Sequence, residues 1–549
     1  MSSKSLSREG ALLAILSGGI FLIATPFNSY DPINIPKFMM LCIFGFGFLG
    51  YLISRKIEIV KFNSPKLLIT LGVFLALLLV NLIFNNENFI ERFFGSSGRQ
   101  TGFLTYLSLV IVAIYACQIC NLQVIKNVQT AILFAACVSA VYGLFQFLGN
   151  DPFDWINPYS PVFAFLGNPN FLASFLGISS VLLFALLFDG KSKILCRLTF
   201  LALLVFFMII IALTKSQQGF LVVATGGSVV FLLFVKKIRI KRVYKLFISS
   251  GFLIAGISGV LGLLNRGLLA DYLYKTSISS RGDYWRAAWS MTLNNPVFGV
   301  GLDGYRDHYR ISRDFVAISR FGPEEVSDSA HNIFLEFSST GGFPLLICYV
   351  GFVVVTMISI IRIVRVQDSL NPAVVGLIGA WVGYTVQSFI SINQIALATC
   401  GWILSGLIIG YEFKLTKGIT SKSEINKESP LSVLCSSLGI VLALALTIPV
   451  YLSDAELRAS VKSGDVQRVM NAANKWPQDV IRMNIISNLL RENGFEKQAL
   501  PIARAATERA PHLFTTWRAL SYISIVSPSE KAKALQKMKS LDPLNPDLP

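Results

Sequence analysis

The chain has 549 residues, of which 53% are apolar and only 14% charged, and its mean hydropathy is +0.61. Soluble domains carry nearer a quarter charged residues, so a soluble fold is excluded and the apolar runs must be placed first. The formal net charge of +17 would suit nucleic acid only if the cations shared one soluble face, and they do not.

Runs long enough to cross a bilayer as helices are predicted near 11–27, 38–54, 67–84, 103–120, 128–148, 171–188, 196–213, 219–235, 246–264, 344–361, 373–391, 395–413 and 432–451. The expected fold is all-α: a polytopic membrane bundle of about 13 spans over residues 1–451, with a large outer loop at 265–343 and a soluble helical tail at 452–549. The first run follows Lys4 and Arg8 as a secretion signal would. It lacks a small-x-small cleavage site, which makes it a retained span.

The cations sort by loop parity. One set of loops holds Arg55, Lys56, Lys126, Lys191, Lys193, the run Lys236–Lys245, Arg362, Arg365 and Lys414–Lys427, whereas the short loops of the other set hold only Lys37, Arg92, Arg99 and Lys215. The positive-inside rule then puts the N-terminus in the cytoplasm and, after an odd number of spans, the C-terminus outside. The location expected is the cytoplasmic (inner) membrane. All eight cysteines fall in or at the ends of spans, where they behave as small apolar residues rather than a disulfide or zinc framework.

Polar turns gather on the predicted outer side: FGSSGRQTG (94–102), FLGNPNFLASF (165–175) and LTKSQQGFLVV (213–223). The outer loop adds SSRGDYWRAAWSMTLNNPVFGVGLDGYRDHY (279–309), where Arg281, Trp285 and Trp289 share a helix face that Asn294, Asn295 and Pro296 should end. GVGLDG matches G-x-G-x-x-G literally but follows a helix rather than a strand, so it reads as a tight turn or close backbone approach and not a dinucleotide loop. Arg281 and Arg286 can clamp phosphate bidentately. Glu324, Glu325, Asp328 and His331 are close in sequence, yet no second histidine is near, and no metal site is assigned. His331 lies in SDSAHNIFLEFSSTGGFP (residues 327–344). A histidine in a polar cavity at the membrane surface suits proton transfer.

In the tail, Pro477, Pro511 and Pro543 recur at the period of a tetratricopeptide repeat, and Gly464 and Gly494 mark turns between helices. Such repeats stack into binding faces, so a protein partner for 452–549 is possible from sequence.

GSSGRQTG, GNPNFLA, SQQGFL, SSRGDYWRAAW with NNPVFGVG, and AHNIFLEFSSTGG, in this order over residues 90–345, resemble the O-antigen ligase family with its related oligosaccharyltransferases and polysaccharide polymerases. The resemblance implies transfer of a glycan from an undecaprenyl-diphosphate carrier to an acceptor, which is a lipid, a protein or another glycan, on the outer face, without metal, nucleotide or other cofactor. It makes His331 and Arg281 the catalytic candidates. Arg99, Lys215, Arg286 and Gln217 become donor or diphosphate ligands, and Asn332, Asn168, Asn170 and Ser216 become supports. Relatives often have arginine where this chain has Gln217, and Lys215 or Arg99 would have to supply that charge. Ligase-type transfer, polymerisation of lipid-linked units, and a flippase or exporter are the readings to separate. The near absence of charge within the spans speaks against transport.

Overall fold

The structure is a computed structural model describing residues 8–57, 63–84, 88–153, 155, 162–237, isolated positions between 243 and 273, 276–367, 369–417 and 430–548. Among the described residues every regular element is a helix: α1 Arg8–Leu22, α2 Asn34–Ile57, α3 Pro65–Phe84, α4 Phe89–Phe94, α5 Phe103–Ile119, α6 Leu122–Phe147, α7 Pro169–Leu187, α8 Ile194–Leu213, α9 Gln218–Lys237 and α10 Ala270–Leu273. The outer loop forms α11 Thr276–Asn294, α12 Tyr305–Ser312 and α13 Phe315–Phe321. The bundle closes with α14 Ile333–Val366, α15 Pro372–Gln387, α16 Ile395–Thr416 and α17 Pro430–Ser463. The tail is α18 Val466–Ala473, α19 Val480–Glu492, α20 Glu496–Arg509, α21 Phe514–Ser521 and α22 Pro528–Leu541.

Nine described helices are long and apolar enough to cross a membrane, and α5 and α15 are shorter apolar helices beside them. These eleven helices match predicted spans; the predicted 11–27 meets the 15-residue α1, and 246–264 falls largely outside the described residues. Helix starts follow the sequence: Asn121, Asn168, Asn332, Asn371 and Gln394 accept hydrogen bonds from the first-turn amides of their helices, which satisfies donors that no turn precedes. Burial differs along the chain. The α16 window is 94% buried, whereas the α8 window is 17% buried and turns Ile194, Leu195, Leu198, Leu201, Val205 and Ile209 outward. A helix with that much exposed apolar surface belongs against lipid.

Three apolar cores result. The bundle core holds Trp381, Trp402, Tyr115 and Phe175. A second lies inside the tail around Ile486, Ala503, Phe514 and Trp517. A third, under the outer loop, joins Tyr284, Ala287, Met291, Val300, Tyr305 and Tyr309.

The tail is clasped to the outer loop and to the turn after α1. Asp542, fully buried, accepts from Arg310 Nη1 at 2.8 Å and from Arg313 Nη2 at 2.8 Å. Arg310 also lies 4.3 Å over the Phe514 ring, and Arg518 pairs with Glu324 at 2.5 Å. Further along, Asp454 accepts from the amides of Tyr30 at 2.6 Å and Asp31 at 3.1 Å. Removing one partner of a buried ion pair strands the other charge, at a cost of about 3–5 kcal/mol. Asp542→Ala is therefore expected to loosen the clasp. In hydrogen exchange on the detergent-solubilised protein, α12, α13 and α22 should lose protection while α16 keeps it. Unchanged protection in α12 would show that the clasp is held elsewhere.

Candidate active site

The floor of the site is a broken helix. At Gly342 the backbone of α14 leaves helical geometry (φ 71°, ψ −178°), with Pro344 two residues on. A Cβ on Gly342 would fall 2.4 Å from the Val297 carbonyl, so only glycine lets the two backbones meet here. The break releases the Ser339 and Thr340 carbonyls, which accept from Val300 N at 2.8 Å and Gly301 N at 3.1 Å, while Phe343 N donates to Pro296 O at 2.8 Å. Asn81 on α3 bridges the same place: its Nδ2 donates to Phe298 O at 2.5 Å and Thr340 O at 3.2 Å, and its Oδ1 accepts from Leu302 N at 3.2 Å. Irregular backbone in a membrane protein needs such internal partners. GVGLDG is thus the turn that docks the outer loop on the broken helix.

That turn delivers Asp303, itself in the left-handed region at φ 58°. Its carboxylate accepts from Ser96 N at 2.7 Å, Ser96 Oγ at 3.0 Å and Thr101 Oγ1 at 2.8 Å, and lies 3.5 Å from Arg99 Nε. Arg99 reaches Glu336 with Nη2 at 3.3 Å and donates through Nη1 to the Asp328 carbonyl. Glu336 also accepts from Ala330 N at 2.8 Å. Burial works against the Arg99 charge, but Glu336, Asp303 and Asp328 outweigh it and hold the guanidinium above its ordinary range. Arg99 is a buried strut with its charge already balanced.

This strut fixes the residues just before α14, where His331 sits. His331 is strained into φ 50°, a conformation costing a non-glycine residue about 1–3 kcal/mol and concentrated at functional sites. Asn332 caps α14, its Oδ1 accepting from Phe334 N at 3.0 Å and Leu335 N at 3.1 Å, which sets the imidazole at the positive end of the helix. The Tyr284 ring lies 5.5 Å from it. Burial pushes His331 down to about 4, Asp328 opposes this, and the Arg281 and Arg99 cations add to it. A shift in that direction favours the neutral ring at physiological pH.

Arg281, on α11, is the cation beside it. Burial lowers its pKa and Tyr284 partly offsets that; among the described residues it makes no ion pair with a carboxylate. Arg286, the other expected phosphate ligand on this helix, is turned instead to Asp283 at 2.5 Å and Asp314 at 2.5 Å. The later loop arginines are also engaged: Arg306 with Glu91, Arg310 and Arg313 with Asp542, Arg320 with Asp283. Glu324 serves Arg518 and Arg310. Among the described residues no three His, Cys, Asp or Glu side chains converge as metal ligands.

The remaining expected residues form a second joint. Asn168 caps α7 by accepting from Asn170 N at 2.9 Å, and Ser216 Oγ donates to Asn170 Oδ1 at 2.7 Å, tying the α8–α9 turn to α7. Lys215 is exposed at φ 58°, and Gln217 is half-buried at the start of α9. This joint is at the same end of the bundle as His331: Gly167 abuts Ile33, Asn34 Nδ2 donates to Gly98 O at 2.7 Å, and the turn at 95–102 carries Arg99.

Residues 200–350, from α8 through the outer loop to the broken helix, match a family model described as O-antigen ligase. The chain carries an O-antigen ligase domain. The match supports a membrane glycosyl-transferring function of the ligase or polymerase kind, and it spans both Arg281 and His331. No curated protein matches the chain. The O-antigen ligase domain contains two acids that sequence reasoning does not single out, Asp303 and Glu336. Glu336 had a signal, since a carboxylate inside an apolar run marks a functional site by default. Asp303 had none, because its partner Arg99 is remote in sequence.

Proposed function

We propose that the protein transfers a glycan from undecaprenyl diphosphate to an acceptor hydroxyl at the outer face of the cytoplasmic membrane. The observation that carries this is the pairing of a neutral, strained His331 with Arg281, a guanidinium committed to no carboxylate among the described residues, at the N-terminus of α14. Cations and helix N-terminal amides together suit a diphosphate. In the reaction the acceptor oxygen attacks the anomeric carbon, the carbon–oxygen bond to the diphosphate breaks, and the hydroxyl proton passes to His331. Arg281, with Lys215 on the turn at the same end of the bundle, offsets charge developing on the leaving diphosphate, and the Gln217 amide donates to it. Single displacement inverts the anomeric centre. Asn168, Asn170 and Ser216 hold the second turn in place, and Arg286 braces α11.

The outer placement follows from the cation asymmetry of the loops: the basic loops belong to the opposite end of the bundle from His331. Ligase-type transfer is favoured over polymerisation because a tail covers the outer loop, which suits presentation of an acceptor or its carrier. The tail is read as a degenerate tetratricopeptide-like array. The test is transfer by purified protein in detergent, with a labelled undecaprenyl-diphosphate glycan and candidate acceptors, scored as glycan moved and carrier diphosphate released, with and without EDTA. Transfer unchanged by EDTA and a product of inverted configuration are expected. Loss of transfer with EDTA would make the reaction metal-dependent, and a covalent glycosyl-enzyme would replace single displacement.

A further inference from the structure

A cleft of about 500 Å³ opens where the tail meets the outer loop, and no step of the proposed transfer uses it. One wall is α19, whose Asn484 and Asn488 are one turn apart on a common face. The opposite wall is α21 with Thr515, followed by Tyr522, and Arg306 of α12 closes one side. Asn484 is 7% exposed, and its Oδ1 has no hydrogen-bond partner among the described residues; its Nδ2 has only a long contact of 3.4 Å to Thr515 Oγ1. A buried amide oxygen left unpaired costs about 1–3 kcal/mol, so a site that keeps one beside a cleft is built for a donor from outside.

Charge narrows the class of ligand. Each guanidinium lining the cleft is already paired: Arg306 with Glu91 at 2.8 Å, Arg491 with Glu492 at 2.8 Å and Arg518 with Glu324 at 2.5 Å. Apart from the partnerless Nε of Arg491 and the exposed Glu492 carboxylate, what remains for an occupant is neutral. There are amides that both donate and accept, a hydroxyl, and the Tyr522 ring, 58% exposed with Arg491 5.6 Å from its centre. Neutral amides beside an aromatic face match a hydroxyl-rich chain with apolar C–H faces and not a polyanion. The cleft also shares Arg306 with the outer loop that carries His331. We propose that this cleft binds a neutral glycan segment, the far part of the saccharide being transferred, so that the tail measures or retains the chain while its reducing end lies at His331. The placement rests on the transferase reading; the binding chemistry does not.

The test is fluorescence anisotropy on the full-length protein in detergent. The probe is oligosaccharide released by mild acid from the lipid-linked glycans of the cells that make the protein, labelled at its reducing end. Tyr522→Ala and Asn488→Ala, at exposed and half-buried positions, are expected to weaken binding at least about tenfold, as is Asn484→Ala, whereas Lys531→Ala on α22 leaves it unchanged. The melting temperature of each variant checks folding, and the first two keep the test valid if Asn484→Ala unfolds the tail. Wild-type affinity in both Tyr522→Ala and Asn488→Ala, or no probe binding by the wild type, overturns the proposal. So does binding of an extended-peptide pool in place of the glycan. Because the readout is binding, failure of glycan transfer would refute the transferase reading and leave this result standing.

Discussion

Replacing His331 by alanine is expected to lower glycan transfer by about 10²–10⁴-fold, the usual loss when a positioned general base is removed. Binding of the lipid-linked donor should survive, because the cation proposed to face the diphosphate is Arg281. The loss should therefore fall on kcat and not on KM. The pH profile supplies a readout that a merely structural histidine would not move. Burial and the Arg281 and Arg99 cations put the imidazole at about 4. Its base form is present above that value and is lost only as pH falls through it. The acid limb of kcat/KM is thus expected near pH 4 instead of near the ordinary histidine value of about 6.5. Arg281→Gln removes one cation that disfavours the imidazolium, so any residual activity of that variant should show the limb moved upward. Wild-type turnover in His331→Ala would make the strained histidine a structural feature and move the search for the base to Tyr284 and Asp328.

The apolar runs were legible because bilayer thickness sets their length, whereas Asn168 and Asn332 read only as site supports and prove to cap helices. What escaped the sequence is where long-range partners decide the outcome. Residues 333–341 read as an outer turn leading to a span that begins at Pro344; in the structure they are helical, and the break lies at Gly342. Local propensity for SSTGG favours a turn, but Glu336 anchored on Arg99 and the Ser339 and Thr340 carbonyls held by the docking turn make the segment a helix. Arg281 was set apart by its place on the Trp285 and Trp289 face, but Arg286 still read as a second phosphate ligand. They separate because Asp314, on another helix, takes Arg286. Arg99 read as a donor ligand, and only the folded chain shows it enclosed by Asp303 and Glu336. The helical character of the tail was legible in its apolar spacing, while its clasp on the outer loop through Asp542 had no local signal.

Arg281 carries the second large effect, and its contrast with Arg286 is the sharper test of the site. Arg281→Ala removes the one guanidinium near His331 that no carboxylate among the described residues already occupies. Loss of a single preorganised group facing developing charge costs about 10²–10³-fold, or roughly 3–4 kcal/mol in the transition state. Lysine in its place keeps a point charge but loses the planar, two-pronged contact with phosphate, so partial recovery is expected and not restoration. Arg286→Ala breaks pairs with Asp283 and Asp314 on a side chain 46% exposed. Exposed pairs contribute about 0–1 kcal/mol, so transfer should fall no more than about fivefold. Direct binding of undecaprenyl diphosphate to the two variants separates the roles: a weakened complex in Arg281→Ala with near-normal binding in Arg286→Ala fits the proposed site. The reverse order would mean that the donor breaks the Arg286 ion pairs on arrival. The diphosphate would then lie along the exposed side of α11, and His331 would act on the acceptor from further away than its place beside Arg281 implies.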